Sequence, residues 1–200
     1  NALGGLSLAS SEVADVLDAY GFDVIVFETL GVGQVEIDVM NETDTVAVVL
    51  VPESGDDIQM MKSGLIEIAD IYIVNKSDRP GADRLVTNLN NMLETNPSMA
   101  HDDRLTPVLK TNAIKEDGLG LFIDSISNHF EFMNANGILK KKGDERYRRQ
   151  VKSIVRNRYE GHLWKDEKKI ALLDNEISKK INKRISPNNL ADIVLKNEQY

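Results

Sequence analysis

The segment Val74–Asp78 reads VNKSD and directly follows a short β-branched run. That placement puts it in a loop at the carboxyl end of a strand, where open α/β sheets bind ligands. The Asp78 carboxylate can accept from both N1–H and the exocyclic amine of guanine, a donor pair that adenine does not present. The stem of Lys76 can lie flat along the base, and Asn75 can stitch the loop to its neighbours. An ordinary strand-ending turn with solvated charges fits the same four positions, and taken alone the two readings stand level. A second candidate lies two strands earlier, where the run FDVIVF ends in Glu28 and enters ETLGVGQ. A carboxylate there can hold a water of a magnesium shell. Gly31, without a Cβ, lets its backbone N–H approach a terminal phosphate. A plain β–α turn also has an acid and glycines, but its place before VNKSD favours the nucleotide reading.

These loops need a scaffold, and the pattern of the first 130 or so residues supplies one. Phe22–Phe27, Thr45–Val51 and Ile71–Val74 are short apolar runs that read as buried strands, with Pro107–Leu109 as a weaker fourth. Between and around them, Ser7–Tyr20, Gly55–Ala69, Ala82–Leu93 and Gly118–Phe132 carry helical periodicity. In the first of these Val13, Val16, Leu17 and Tyr20 share a face, and Gly21 supplies the stop. Strands without strict alternation, separated by helices, predict an α/β fold: a parallel sheet with helices on both faces. Past Asn136-Gly137 the strand signal ends. Lys140–Tyr159 and Leu163–Arg184 read as long charged helices, and Ser186-Pro187 as the cap of a last one with Leu190, Ile193 and Val194 inward. Ile170, Leu173, Ile177, Ile181 and Ile185 form a stripe narrow enough to suit packing against another chain, although folding back on the α/β layer also fits. The expected division is 1–136 and 137–200.

Composition narrows the classes. The 200 residues are 42% hydrophobic, enough for a core, and hold no cysteine, which removes disulfides, thiolate metal sites and cysteine nucleophiles. No apolar run reaches membrane-spanning length, and no leader resembles a secretory signal, so a cytoplasmic protein is the expected class. Residues 1–139 hold 7 Lys and Arg against 23 Asp and Glu, while residues 140–200 hold 17 against 9. That break marks a change of architecture near residue 140. The acidic part argues against a nucleic-acid surface, and no nucleic-acid or membrane partner is expected.

Three segments together, ETLGVGQVEIDV, VPESGDDIQMMKSGLIEIAD and VNKSD, resemble the MeaB/ArgK-type GTPases, also called LAO/AO transport ATPases. LGGLS at Leu3–Ser7 and the basic helical tail resemble the same family, so the likeness spans the chain. The resemblance implies a P-loop NTPase-type G domain (SIMIBI-like) followed by a helical dimerisation arm. It places Glu28 and Gly31 in the catalytic switch II motif, with Glu28 reaching Mg2+ through water. Asn75, Lys76 and Asp78 fall on the guanine-specificity motif. Thr111, Asn112 and Ala113 fall on a loop that usually reads T-S-A, with the Ala113 N–H meeting guanine O6. Asp56, Asp57, Gln59 and Lys62 fall on a further switch that communicates with methylmalonyl-CoA mutase. Without the resemblance those four read as a charged helix start. The implied ligands are GTP or GDP with Mg2+, and the implied partners are methylmalonyl-CoA mutase, or a related adenosylcobalamin-dependent mutase, and a second copy of the chain. The implied function is a GTP-hydrolysing metallochaperone that gates adenosylcobalamin loading and protects the mutase.

No G-x-x-x-x-G-K-[ST] occurs in these residues, and the resemblance places that phosphate loop upstream of Asn1, so the chain alone is expected to bind GTP poorly. Where Ras-like GTPases carry a water-orienting glutamine, this chain has Val32, with Gln34 two residues on. Slow hydrolysis without a partner is therefore expected. Two other classes remain open at this point: a nucleotide-dependent kinase or ATPase of lysine, arginine and ornithine transport, and a non-enzymatic dimerising module. His101, His129 and His162 lack metal-ligand spacing. Ser7, Ser10 and Ser11 read as helix-capping residues, Lys140–Lys142 as a solvated linker, Tyr159 and Trp164 as packing or interface anchors, and Met60 and Met61 as gap-fillers.

Overall fold

The computed structural model describes residues 8–29, 41–52, 68–95 and 105–196. Within them the chain divides into two compact units, Asn1–Arg146 and Tyr147–Tyr200.

In the first unit three strands form a parallel sheet in the order β1 (Ala47–Leu50), β2 (Ile71–Val74), β3 (Val108–Lys110). Ala47 pairs with Ile71 and Tyr72 with Val108, so β2 is the central strand. All four of its residues are buried, which is why IYIV shows no alternation. One face of the sheet packs on α2 (Ala82–Thr95), where Leu50, Tyr72 and Val74 meet Ala82, Leu85 and Leu89. Ile71 and Ile73, on the opposite face, are buried as well. The helix α3 (Leu119–Ala135) also packs on β2 and buries His129 and Met133. The helices and strands expected from 45–51, 71–74, 82–93, 107–109 and 118–132 are thus present, with ends shifted by a few residues.

The helix α1 (Leu8–Tyr20) forms where its periodicity placed it. Its end is a Schellman turn: Gly21 has φ 103°, its N–H donates to Asp18 O at 3.0 Å, and Phe22 N–H donates to Leu17 O at 3.2 Å. On the face bearing Val13, Val16, Leu17 and Tyr20, Leu17 is half-buried and the other three are exposed. One expectation fails here. Phe22–Phe27 is not a strand: it joins no ladder among the described residues, and Val24 and Val26 are 73% and 83% exposed. β-branched residues favour a pleated, half-buried surface, and with no partner strand among the described residues the preference has nothing to act on. Ser10 and Ser11 lie inside α1 rather than capping it, and the buried Ser11 hydroxyl donates to Glu42 Oε2 at 2.9 Å. The expected helix over 55–69 lies for the most part outside the described residues.

Residues 140–142 belong to the helix α4 (Ile138–Leu163), not to a linker. Lys142 Nζ donates to Asp44 O at 2.7 Å, and Arg146 donates to Glu42 O and Asp44 Oδ1. The boundary between the two units falls within α4. Past it, the single helix expected over 163–184 is broken. Asp166 caps α5 (Glu167–Ser178) by accepting from Lys168 N–H at 2.9 Å, and a 3-10 turn follows at Ile181–Lys183. Arg184 ends the helix from outside, donating to Ile177 O and Lys179 O, while Glu176 Oε1 accepts from Ile185 N–H at 2.7 Å. The isoleucine stripe therefore leaves the helix after Ile177. Ser186 caps α6 (Pro187–Lys196) as expected, accepting from Asn189 N–H, and α6 packs on α5. Val194 is buried, whereas Ile193 is 42% exposed. No helix among the described residues is long and apolar enough to cross a membrane.

Candidate functional site

The site forms where β2 and β3 end side by side. Asn75 N–H continues the β1–β2 ladder to Leu50 O at 2.8 Å, and Thr111 N–H continues β3 to Val74 O at 2.9 Å. Ser77 N–H then donates to Thr111 O at 3.0 Å, so the loop after β2 is tied to the start of the loop after β3. Lys76 adopts φ 54°, which turns the backbone sharply and lets Arg79 N–H close onto Lys76 O at 2.9 Å.

Asn75 completes the connection with its side chain. Its Oδ1 accepts from Thr111 Oγ1 at 3.3 Å and from Ala113 N–H at 3.1 Å. The amide that the resemblance assigns to guanine O6 is therefore already engaged, and to serve a base it would have to donate to both oxygens. Thr111 and Asn112 are 3% and 5% exposed. Asn112 holds the turn beyond: its backbone bridges Asp117 in both directions, and its Oδ1 accepts from Lys115 N–H at 3.2 Å. An asparagine makes this local bond at least as readily as the serine more usual at the position.

The return of this loop into α3 depends on Gly118. It sits at φ 77°, and a Cβ built on it would lie 2.1 Å from Lys110 O. Only glycine meets both conditions.

Together the two loops surround a pocket of about 190 Å³ lined by Asn75, Lys76, Asp78, Arg79, Asn112, Ala113, Ile114 and Lys115. Asp78 is partly exposed, and Lys115 Nζ lies 3.6 Å from its Oδ2. Five of the residues singled out in the sequence thus share one pocket, with Thr111 bonded at its wall. Glu28 is exposed and does not line it. Gly31, Asp56, Asp57, Gln59 and Lys62 lie outside the described residues. Among the described residues no group of three or more acidic or histidine side chains gathers as for a metal ion. A magnesium site built from one carboxylate, waters and phosphates requires no such group, so Glu28 is compatible with the water-mediated role.

Sequence reading missed Arg79, Ile114 and Lys115 at the pocket, although the last two stand in the same TNAIKEDG turn as Asn112. It also took His129 as isolated. In the structure His129 is buried, with Nδ1 2.9 Å from Thr45 Oγ1 and Nε2 3.6 Å from Asp70 Oδ1, and Asp70 Oδ2 accepts from Val46 N–H at 2.8 Å. Its partners are 84 and 59 residues away in the chain, so no local spacing announces them.

A parallel sheet with an N-K-x-D loop tied to a T-x-A loop is the architecture of P-loop NTPase-type G domains. A crystal structure described as LAO/AO transport system kinase shares the fold, with a TM-score of 0.69 and 22% identity, over 94% of this chain and 61% of that one. A family model described as methylmalonyl Co-A mutase-associated GTPase MeaB matches residues 1–168, and the chain belongs to that family. A candidate GTPase of Pyrococcus abyssi is 40% identical over 97% of this chain and 60% of its own length. The GTPase ArgK of Escherichia coli is 41% identical over 38% of this chain and 23% of its own length. The mitochondrial methylmalonic aciduria type A homolog of Mus musculus is 40% identical over 38% of this chain and 18% of its own. The chain spans about 60% of the length of the Pyrococcus relative.

Proposed function

We propose that this chain is the guanine-selecting and switch-bearing part of a GTPase that gates adenosylcobalamin loading onto methylmalonyl-CoA mutase, or a related mutase, and protects that enzyme. The observation that carries the reading is the pair of hydrogen bonds that Asn75 Oδ1 accepts from Thr111 Oγ1 and Ala113 N–H, beside the Asp78 carboxylate. It fixes the two loops as one rim with an acceptor pair on one side and a backbone donor on the other, complementary to the Watson–Crick edge of guanine. Family membership supports the GTPase class.

In this proposal Asp78 accepts from N1–H and the exocyclic amine, Lys76 lies along the base, Thr111 and Asn112 shape the second loop, and Ala113 N–H, shared with Asn75 Oδ1, donates to O6. Glu28 holds a water of Mg2+, and Gly31 brings its amide to the terminal phosphate. The magnesium ion supplies charge neutralisation of the phosphates when bound. Asp56, Asp57, Gln59 and Lys62 report the nucleotide state to the mutase, and residues 137–200 form the dimerisation arm of a cytoplasmic homodimer. With no phosphate loop in its 200 residues, the chain alone binds GTP weakly and does not turn it over. With Val32 after Gly31, hydrolysis stays slow until a partner supplies a polar group.

The test is competition between GTP and ATP in the protein carrying this chain together with a phosphate-binding loop, followed by capture of the mutase in each nucleotide state. The expected result is GTP preference and nucleotide-dependent capture. ATP preference, or low-micromolar GTP affinity in the 200-residue chain itself, contradicts the proposal.

A further inference from the structure

Lys115 stands where neither the sequence pattern nor the assigned roles call for a cation. Its ammonium is 3.6 Å from Asp78 Oδ2, across the mouth of the pocket from the loop after β2. Their side chains are 60% and 45% exposed, so the pair is reachable by a ligand.

The distance determines what such a contact does. At 3.6 Å the two groups attract as charges, but the separation exceeds a hydrogen bond. The lone pairs of Asp78 therefore stay available, whereas a lysine bonded directly to the carboxylate would compete with a base for them. The loop itself is well fixed: Lys115 N–H is held by Asn112, which is buried, so the stem of Lys115 departs from an anchored point. A cation close to one oxygen of a carboxylate biases its rotation about the terminal bond. That bias matters for a base needing both carboxylate oxygens at once and much less for one needing a single oxygen.

We infer that Lys115 is a positioning residue for base recognition, orienting the Asp78 carboxylate so that it engages N1–H and the exocyclic amine of guanine together. The inference rests on the guanine reading of the pocket given above. Hypoxanthine shares N1–H with guanine and lacks the exocyclic amine, so the ratio of guanine to hypoxanthine affinity isolates the second contact. Ion pairs this exposed are weak and screened by salt, which bounds the effect at about two- to fivefold.

The experiment titrates GMP, IMP and AMP separately into the isotope-labelled 200-residue chain at millimolar concentrations, following the amides of Ala113 and Lys115 by NMR. The expected result is a GMP preference over IMP that falls about two- to fivefold in Lys115→Ala, is retained in Lys115→Arg, and narrows between variants as salt is raised. AMP binding should not respond to either substitution. An unchanged GMP to IMP ratio in Lys115→Ala, with GMP still preferred over AMP, overturns the role of Lys115 and leaves the guanine reading standing. AMP binding as well as GMP in the unaltered chain, or no response of these amides to GMP, overturns the guanine reading and this inference with it.

Discussion

Substituting Gly118 by alanine tests whether the loop after β3 is held in one geometry by its backbone. The new Cβ would lie 2.1 Å from Lys110 O, 3.2 Å from Lys110 C and 3.3 Å from Thr111 Cα. All three are backbone atoms, so no side chain can rotate away. Placing alanine at φ 77° costs about 1–2 kcal/mol by itself. Displacing the strand end adds about 1–3 kcal/mol, typical of forced overpacking. The sum is about 2–5 kcal/mol. Native-state hydrogen exchange of the β2 and β3 amides reads the opening free energy of this unit without contribution from the second one. Gly143→Ala is the control, since Gly143 lies inside α4 and a Cβ there meets nothing within 4 Å, and it should gain about 0.5–1 kcal/mol. A loss below about 0.5 kcal/mol in Gly118→Ala, within the range of neutral surface changes, would refute the argument that this glycine sets the loop.

Three further outcomes follow from named contacts. Asn75→Ala removes the acceptor for Thr111 Oγ1 and Ala113 N–H. It should cost about 1–2 kcal/mol by the same exchange measurement and weaken GMP binding, and unchanged binding would separate Asn75 from the site. His129→Ala leaves the buried Asp70 carboxylate facing a void and Thr45 without its partner, so a loss of about 2–4 kcal/mol is expected in urea unfolding; under 1 would show the cluster to be incidental. Glu176 is held below the ordinary glutamate value of 4.5 by its bond with Lys179 and then by the Ile185 N–H. A depressed folded value means its contribution is present above the unfolded value and is lost as pH falls below 4.5 and through the folded value. The second unit should therefore loosen in acid, and Glu176→Gln should flatten that part of the pH profile; a profile identical in both forms would contradict the assignment.

The sheet was legible in the sequence to the extent that each strand finds its partners within the described residues. Thr45–Val51, Ile71–Val74 and Pro107–Leu109 contain β1, β2 and most of β3, because buried parallel strands leave a continuous apolar signature. Phe22–Phe27 carries the same signature and forms no strand, since pairing belongs to the neighbours and not to the run itself. The apolar face of α1 shows the same limit: periodicity names a face without saying what covers it. In the tail, Asp166 and Arg184 break a pattern that periodicity alone carries straight through, and each acts by a local hydrogen bond to the backbone. At the pocket, VNKSD and TNA were visible because their chemistry is local to two short loops. Lys115 and the His129 cluster were not, because their roles depend on which residues the fold brings across from elsewhere.

In the proposed function, the Asp78 carboxylate is what reads the base. Replacing it by asparagine turns one of its two acceptors into a donor while keeping the shape, so the pocket should exchange guanine, with its exocyclic amine, for xanthine, with a carbonyl in that place. Titration of GMP and XMP into the 200-residue chain and into its Asp78→Asn form, followed at the Ala113 amide, measures this directly. The expected result is GMP preference in the first and XMP preference in the second. The same order of preference in both proteins would contradict this role of Asp78.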